Sequence, residues 1–321
     1  MAALDVGGTN MRAAISGRDG RVLGRVERSS RVLENPSRAA GELARLVREA
    51  AGEAGVTLPE LVAVGMAVAG GVDAHKGIVT QCPQFSAWRN LKLQDQLMKA
   101  LKLPVVIIND ADAALAGEQW LGSAREIETV AGIFMGTGLG GALILDGRLW
   151  HGPSGMAGEF GHLLYDPQGR RCNCGQIGCY ETVASGTGVK NSFADIVAQG
   201  TRSRLARRFR EAPREITAQT IARAAMQGDP AAVEAWDRLA DALGALLSAL
   251  VMGLSVDRFV IGGKIALAWP LFARRADKVM RERSFRYPAR RARIFRARLG
   301  DNAALAGAAG LAWKAAAQTS K

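Results

Sequence analysis

The stretch "MAALDVGGTNMRAAISGRDGRVLGRV", residues 1–26, decides the fold. Its three apolar runs, "AALDV", "MRAAIS" and "RVLGRV", are separated by the glycine-rich turns "GGTN" and "GRDG", which predicts three antiparallel strands. A similar arrangement returns as "TVAGIFMGTGLGGALILDGRLW" at residues 129–150. Two copies of one strand-turn-strand unit predict a duplicated fold with a site between the copies. The alternative is a chance likeness between two glycine-rich hairpins.

Helix and strand patterns alternate along the rest of the chain. The sequence predicts helices from Ser37 to about Ala54, around Leu93–Leu101 and from Asp112 to Trp120, with the strands "LVAVGMAV" and "PVVIIND" between them. The uncharged stretch within residues 241–257 predicts a buried helix, "DRFVIGGK" predicts another strand and "NAALAGAAGLAWKAAAQ" a closing helix. This alternation indicates an α/β protein. A length of 321 residues favours two lobes over one.

Composition narrows the class of protein. The N-terminus lacks an export signal pattern, and no apolar run reaches the about 20 residues that a membrane span requires. Four cysteines, three of them clustered, suit a reducing compartment, so we expect a cytoplasmic protein without a membrane partner. The net charge is +12, and residues 274–298 hold ten arginines and one lysine against two acidic residues. That segment predicts either a solvated arginine-rich surface or a polyanion site.

Glycine turns supply candidate phosphate sites. "GTGLGG" formally matches a dinucleotide-binding fingerprint, but that fingerprint must open a helix, and here the strand-like "ALILDG" follows. A glycine turn between strands can still hold phosphate through its backbone N–H groups. "DVGGTN" and the pair Gly262-Gly263 share this property. The alternative for each is a simple tight turn.

An acidic residue follows the buried strand "VVIIND". Asn109 and Asp110 stand at its end, where an α/β fold usually has its ligand crevice. An aspartate there can accept the proton of a substrate hydroxyl as it attacks phosphorus. The alternative is that Asp110 or Asp112 caps the following helix.

Three thiols and an imidazole lie close together in sequence. Cys172, Cys174 and Cys179, with His162 upstream, form the Cys₃His set that suits structural zinc. A disulfide or an accidental cluster is the alternative, and the isolated Cys82 is interpreted as a packed residue.

Two glutamates bracket these candidate ligands. A metal would aim Glu159 and Glu181 at one place, where paired carboxylates can accept hydrogen bonds from the adjacent hydroxyls of a sugar. His162 could bind the metal through one ring nitrogen and the sugar through the other.

Together these motifs resemble the ROK (repressor, open reading frame, kinase) family of bacterial sugar kinases. The resemblance rests on "DVGGTN", "AGGVD", "IINDADAALAGE", "MGTGLGG", "GEFGH", "CNCGQIGCYE", "VIGGK" and "LGDNAALAGAAGLA", in the family's order over nearly the whole chain. Ala69-Gly70-Gly71 and Pro83-Gln84 depart from the family's usual Pro-Gly-Pro and Pro-Asn. Because both flank the expected sugar pocket, the sequence does not select the hexose.

The resemblance implies the α/β actin-like ATPase (ribonuclease H-like) fold, with two lobes and a cleft between them that closes on ATP and sugar. We place the small lobe at residues 1–112, completed by the helix at 303–321, and the large lobe with the zinc loop at 113–302. The chain begins at the first kinase strand, so we expect it to lack the DNA-binding domain of the family's regulators.

The resemblance also implies the site residues. The general base is Asp110. The sugar ligands are Gly70, Asn109, Asp110, Glu159, His162 and Glu181. The ATP-binding residues are Asp5, Gly7, Gly8, Thr9, Asn10, Arg12, Thr137, Gly138, Gly262 and Gly263, and the zinc ligands are His162, Cys172, Cys174 and Cys179.

The expected function is ATP-dependent phosphorylation of a hexose 6-hydroxyl, with glucose as the first choice of sugar. ATP, catalytic Mg²⁺ and structural Zn²⁺ are the expected cofactors, and a homodimer or homotetramer without a nucleic-acid partner is expected. Alternative substrates are N-acetylmannosamine, N-acetylglucosamine, allose and fructose, and polyphosphate is an alternative donor. A sugar-sensing regulator without turnover and a nucleic-acid binder that uses residues 274–298 are the alternatives from other classes.

Overall fold

The structure is a computed structural model, and it describes residues 1–319. Its strands, in chain order, are β1 (Ala2–Val6), β2 (Asn10–Ser16), β3 (Val22–Ser29), β4 (Val64–Val68), β5 (Gly71–Asp73), β6 (Ile78–Gln81), β7 (Arg89–Leu91), β8 (Val105–Asn109), β9 (Val130–Met135), β10 (Leu139–Leu145), β11 (Arg148–Leu149), β12 (Arg258–Gly262) and β13 (Arg293–Arg296). Its helices are α1 (Pro36–Glu53), α2 (Leu93–Leu101), α3 (Asp110–Leu121), α4 (Gly186–Ala198), α5 (Ala206–Glu211), α6 (Ala218–Met226), α7 (Pro230–Leu254), α8 (Trp269–Glu282), α9 (Arg286–Arg291) and α10 (Ala303–Thr319).

The two five-stranded sheets have equivalent arrangements of strands, so that the first, second and third strands of each sheet, in chain order, occupy corresponding positions. The first sheet runs β3-β2-β1-β4-β8 and the second β11-β10-β9-β12-β13. In the first, β1, β2 and β3 pair antiparallel, and β4 and β8 continue the sheet in parallel. In the second, β10 pairs antiparallel with β11, while β12 pairs in parallel with β9 and β13. The predicted meander and the predicted duplication of the fold are both confirmed.

The chain forms two compact units. Within the described residues, the first comprises residues 1–128, 142–158 and 298–319, and the second 129–141 and 159–297. Helix α3, which the predicted boundary after residue 112 would divide, lies whole in the first unit. Its packing against α10 explains this, because both helices carry a glycine where they cross. A Cβ at Gly117 would meet the backbone of Ala303, and one at Gly307 would meet the backbone of Ala113.

Local signals explain the main helices. Asn35 caps α1 by accepting a hydrogen bond from Ser37 N, and Pro36 occupies the first turn, where its missing N–H costs nothing. Asp229 and Pro230 begin α7 in the same way, and α7 contains the buried helix predicted within residues 241–257. Among the described residues, no helix combines the length and apolar character needed to cross a membrane.

Candidate functional site

Asn109, the last residue of β8, begins α3. Its Oδ1 accepts a hydrogen bond from Ala111 N at 2.7 Å, and its Nδ2 donates to Gly70 O at 2.8 Å. The cap is therefore Asn109, and the helix starts two residues earlier than predicted. The alternative that Asp112 merely caps α3 is wrong. Asp110 Oδ1 does accept a bond from Ala111 N at 3.0 Å, so its carboxylate is oriented by the start of the helix.

The carboxyl of Asp110 titrates in an unusual range. Its side chain is half-buried, and burial, followed by the nearby carboxylate of Asp5, raises the pKa of Asp110 to about 7. The hydrogen bond from Ala111 N opposes this shift. Asp5 is itself buried and forms an ion pair with Arg12. Asp110 can therefore change its protonation state near neutral pH, and a pKa near the working pH suits a general base.

The first glycine turn, Gly7–Asn10, joins β1 to β2. Gly7 N donates to Asn10 O at 3.0 Å, and the side chain of Asn10 donates to Glu27 at 2.6 Å. Gly8, Thr9 and Asn10 are exposed. The turn therefore presents backbone at the surface of the first unit, as a phosphate-binding turn requires.

The second glycine turn, Gly136–Gly138, joins β9 to β10, which confirms that no helix follows it. The turn is tied to the N-terminus of α4. Gly136 O accepts a bond from Gly186 N at 2.8 Å, and Thr137 O accepts bonds from Thr187 N at 3.2 Å and Thr187 Oγ1 at 2.9 Å. The start of α4 therefore adjoins the turn, and a helix N-terminus favours anions.

A cavity of about 860 Å³ in the second unit opens beside this turn. Gly136 and Thr137 line it, and so do four cationic residues, which are Lys190, Arg214, Arg223 and Lys264. No acidic residue of the described chain lines it. Sequence reasoning missed Thr187 and these cations, although "SGTG" at 185–188, directly before a helical run, is a recognisable helix start.

Gly262 and Gly263 end β12 close to the neighbouring strand β9. A Cβ at Gly262 would collide with Phe134, and one at Gly263 would collide with the backbone of Met135. Gly263 also has φ of +80°, which favours glycine. The residues that follow, Lys264 and Ile265, line the cavity. The close packing that these two glycines allow therefore places Lys264 and Ile265 in the lining of the cavity.

The four predicted metal ligands lie together. One ligand atom each from His162, Cys172, Cys174 and Cys179, here called the cysteine cluster, lie within 4.8 Å of one another. The Sγ atoms of Cys174 and Cys179 are 3.6 Å apart, and Cys172 Sγ is 3.7 Å from His162 Nδ1. Zn–S bonds of about 2.3 Å in a tetrahedral site place the ligand atoms about 3.5–3.8 Å apart. The residues present fit zinc.

The bracketing glutamates lie beside the cysteine cluster. Glu159 Oε2 is 3.9 Å from Nε2 of His162, on the ring edge opposite the thiols. Glu181 Oε1 is 3.5 Å from Cys172 Sγ, and its Oε2 accepts a hydrogen bond from Leu139 N at 2.9 Å. Glu159 therefore lies beside the His162 ligand of the cysteine cluster. Glu181 lies beside the Cys172 ligand and also binds the residue that follows the second glycine turn.

The predicted residues divide between the units. Gly70, Asn109, Asp110 and the first glycine turn belong to the first unit, whereas Glu159, His162, Glu181, the second glycine turn and Gly262-Gly263 belong to the second. The first unit also has a cavity of about 1110 Å³ beside Trp120 and Trp313, and no predicted site residue lines it.

Two arginines of the arginine-rich segment, residues 274–298, form ion pairs and hydrogen bonds within the second unit. Arg275 contacts Asp237 and Asp241, and Arg281 pairs with Asp277 while donating to the carbonyl groups of residues 289 and 292. These bonds favour the interpretation of residues 274–298 as a solvated, structurally engaged surface.

Residues 1–315 match the ROK family. The chain belongs to this family. It is 32% identical over 279 residues to the glucokinase of Thermotoga maritima, with 86% of each protein covered. It is 30% identical over 240 residues to the xylose repressor of Caldicellulosiruptor bescii, and the aligned part covers 75% of this chain and 59% of the repressor.

Solved ROK structures are similar over the whole chain. The ROK family glucokinase of Streptomyces griseus, in complex with glucose and AMPPNP, has a TM-score of 0.81 at 31% identity and covers 98% of this chain and 99% of its own. The predicted fold class, the α/β actin-like ATPase fold of the ROK family, is confirmed.

Proposed function

We propose that this ROK protein is an ATP-dependent hexose kinase that phosphorylates the 6-hydroxyl of glucose. The observation that carries the proposal is Asp110, the first residue of α3 directly after β8, whose pKa is raised to about 7 by burial and by Asp5. A carboxylate with that pKa is partly ionised at neutral pH and strong enough as a base to assist a hydroxyl. The glucokinase relatives support glucose as the sugar.

In the proposed reaction Asp110 accepts the proton of the 6-hydroxyl while the hydroxyl oxygen attacks the γ-phosphorus of ATP. The new O–P bond forms as the bond from the γ-phosphorus to the β,γ-bridging oxygen breaks, and ADP leaves. Mg²⁺ bound with the nucleotide would neutralise charge on the phosphates. Asn109 holds Gly70 O and the first turn of α3, so it fixes the direction from which Asp110 acts.

Glu159, His162 and Glu181 are the proposed sugar ligands of the second unit. Carboxylate oxygens accept hydrogen bonds from hydroxyls, and adjacent hydroxyls suit paired carboxylates. His162 directs Nδ1 toward the thiols and Nε2 toward Glu159, so one ring can serve both the metal and the sugar. Zinc held by the cysteine cluster would be structural, because four protein ligands leave no open position.

The triphosphate of ATP is proposed to lie along the second glycine turn and the N-terminus of α4. Backbone N–H groups and the positive end of a helix both favour phosphate. The four cations of the adjoining cavity extend this preference. Because no acidic residue of the described chain lines that cavity, inorganic polyphosphate is a second candidate donor.

A turnover panel tests the proposal. Glucose, N-acetylmannosamine, N-acetylglucosamine, allose and fructose are each incubated with Mg-ATP and, separately, with polyphosphate, and hexose 6-phosphate is measured. We expect the highest kcat/KM for glucose with ATP. Asp110→Asn should lower turnover by about 10²–10⁴ while sugar binding persists. Asp95→Asn, at an exposed position of α2, is the matched control and should keep full turnover.

Other outcomes identify the alternatives. Sugar binding without turnover by any donor would make the protein a regulator, and turnover that survives Asp110→Asn would remove the base. Nucleic-acid binding that weakens steeply with salt would assign residues 274–298 to a polyanion partner. The homo-oligomeric state and the cytoplasmic location stay predictions.

A further inference from the structure

Two of the three histidines lie near a buried carboxylate on α3. Asp112, two residues after the proposed base, has only 6% of its side chain exposed, and its Oδ2 is 3.2 Å from His151 Nδ1. The His151 side chain is 18% exposed. Its ring meets the ring of His75 edge-on, with the centroids 6.2 Å apart. The kinase function proposed above does not use any of these three residues.

The carboxylate of Asp112 depends on His151. Its other oxygen, Oδ1, is buried and accepts no hydrogen bond from the described residues, and a buried carboxylate without donors is costly. Burial raises the pKa of Asp112, whereas His151 lowers it. The two side chains are within ion-pair distance, and His151 lowers the pKa of Asp112 through hydrogen bonding first and through charge second.

His75 also contacts the segment of residues 151–158, which begins with His151 and directly precedes Glu159. His75 Nε2 lies 2.9 Å from Gly152 O, so Nε2 must carry a proton and donate. Ala74 N donates to Gly155 O at 3.3 Å. Residues 151–158 are thereby attached to the first unit, and the next residue along the chain is Glu159, a proposed sugar ligand.

The charged groups near Asp110 come from several elements. Asp5 of β1, paired with Arg12 of β2, raises the pKa of Asp110, and the charge of Asp112 on α3 raises it further. The Cys82 thiol, in the loop after β6, interacts with Asp110 as well. Of these groups, Asp112 alone has a histidine beside it, so His151 can offset its charge.

We propose that Asp112 and His151 are positioning residues for Asp110. The contact with His151 fixes Asp112 in the first turn of α3. His151 also offsets the negative charge of Asp112, which lies two residues from the base Asp110. Because the pair acts through Asp110, the inference rests on the proposed kinase function. It goes further by assigning a role to a histidine and an aspartate that touch neither sugar nor ATP in the proposed reaction.

The test is the pH profile of kcat/KM for glucose, whose acid limb reports the base in the free enzyme. Asp112→Asn removes a negative charge, so the acid limb should move to lower pH by about 0.5–1 unit. His151→Gln leaves that charge unbalanced, so the limb should move to higher pH. His151→Lys restores a cation and should bring the limb back toward the wild-type position.

Each result decides the matter. An acid limb that stays in place in both Asp112→Asn and His151→Gln would overturn the proposal, even if kcat fell, because a purely structural role changes amplitude and not the limb. A downward shift in His151→Gln would support the pairing as well, because Asp112 would then have taken up a proton on losing the residue that lowers its pKa. If Asp112→Asn does not fold, the two variants of the more exposed His151 still give the answer. Full turnover in Asp110→Asn would remove Asp110 as the base, whereas a wild-type protein that phosphorylates no hexose with any donor would refute the kinase function itself.

Discussion

Leu139 donates its backbone N–H to Oε2 of Glu181 at 2.9 Å, while Oε1 of the same carboxylate lies 3.5 Å from Cys172 Sγ. One side chain thus connects the start of β10, directly after the second glycine turn, with the cysteine cluster. The sequence predicts Glu181 only as a sugar ligand. Its contacts also link the cysteine cluster to the residue that follows the second glycine turn.

Substitutions of Glu181 should therefore affect ATP as well as sugar. Glu181→Leu removes the acceptor for Leu139 N, and a lost hydrogen bond of this kind costs about 1–2 kcal/mol, or roughly tenfold in the KM for ATP. Glu181→Gln keeps an acceptor oxygen and should spare ATP while weakening the sugar. Zinc content and the two KM values measure this. Zinc loss in Glu181→Gln would show that the residue is a ligand.

Gly138 faces the same carboxylate. A Cβ at this position would overlap Glu181 Oε2, whereas a Cβ at Gly136 would meet no described atom within 4 Å. Gly138→Ala should therefore displace the turn and raise the KM for ATP at least about tenfold, with sugar affinity retained. Gly136→Ala, in the same turn, should have a clearly smaller effect. Equal effects of the two substitutions would contradict this steric explanation.

Much of the fold and the site follows from local sequence patterns. The two strand-turn-strand units, the strand ending at Asn109 and the ligand spacing of residues 172–179 are all visible in short windows, because period-2 runs, glycine turns and metal ligands are local signals. The hydrogen bonds from Thr187 to Thr137 and from Leu139 to Glu181 join residues 50 and 42 positions apart. Contacts at such separations leave no periodic trace in one sequence.

Glu118 is another residue that sequence reasoning missed. Its carboxylate is fully buried and accepts hydrogen bonds from the backbone N–H groups of Arg298 and Leu299 and from both the N–H and the hydroxyl of Ser123. These donors attach the segment before α10 to the end of α3. Within the pattern "ALAGEQW" the glutamate cannot be told from a surface residue, because two of its four donors, on Arg298 and Leu299, lie 180 and 181 positions away.

Neutralising Glu118 should destabilise the first unit. Glu118→Gln replaces one acceptor oxygen with an NH₂ group that faces N–H donors, so the free energy of unfolding should fall by about 2–4 kcal/mol. Urea unfolding followed by circular dichroism measures it. Glu53→Gln, at an exposed position at the end of α1, is the matched control and should change stability by less than about 0.5 kcal/mol. A similar, small change in both variants would contradict the structural role of Glu118.

Zinc removal should affect the sugar first. Purified protein should hold about one zinc per chain, and Cys174→Ser should lose it together with sugar affinity, since Glu159 and Glu181 would no longer be held in register. ATP affinity should fall less, through the single bond from Leu139 to Glu181. Cys82→Ser, outside the cysteine cluster, should keep full zinc content. Undiminished sugar affinity in zinc-free Cys174→Ser would refute the link between metal and sugar.

The raised pKa of Asp110 makes a prediction about stability that is independent of turnover. Folding raises this pKa from the ordinary value near 3.8 to about 7, so the folded protein holds a proton that the unfolded chain releases. The resulting stabilisation is fully present below pH about 4 and is lost as pH rises through about 7. Above that pH the folded state carries a poorly solvated charge. Asn at position 110 cannot ionise and avoids this cost.

Asp110→Asn should therefore gain stability relative to the wild type as pH rises from about 4 to 7. The gain should level off above pH 7 at roughly 1–3 kcal/mol, less than the about 4 kcal/mol that the whole pKa difference would give, because the half-buried side chain keeps part of its hydration. Urea unfolding of both proteins at pH 5, 6, 7 and 8 measures the difference, and Asp95→Asn is the control for an exposed carboxylate. A difference that stays constant across this range would mean that the Asp110 carboxyl has an ordinary pKa in the folded protein. Its assignment as a base that titrates near neutral pH would then fail, whatever the variant does to turnover.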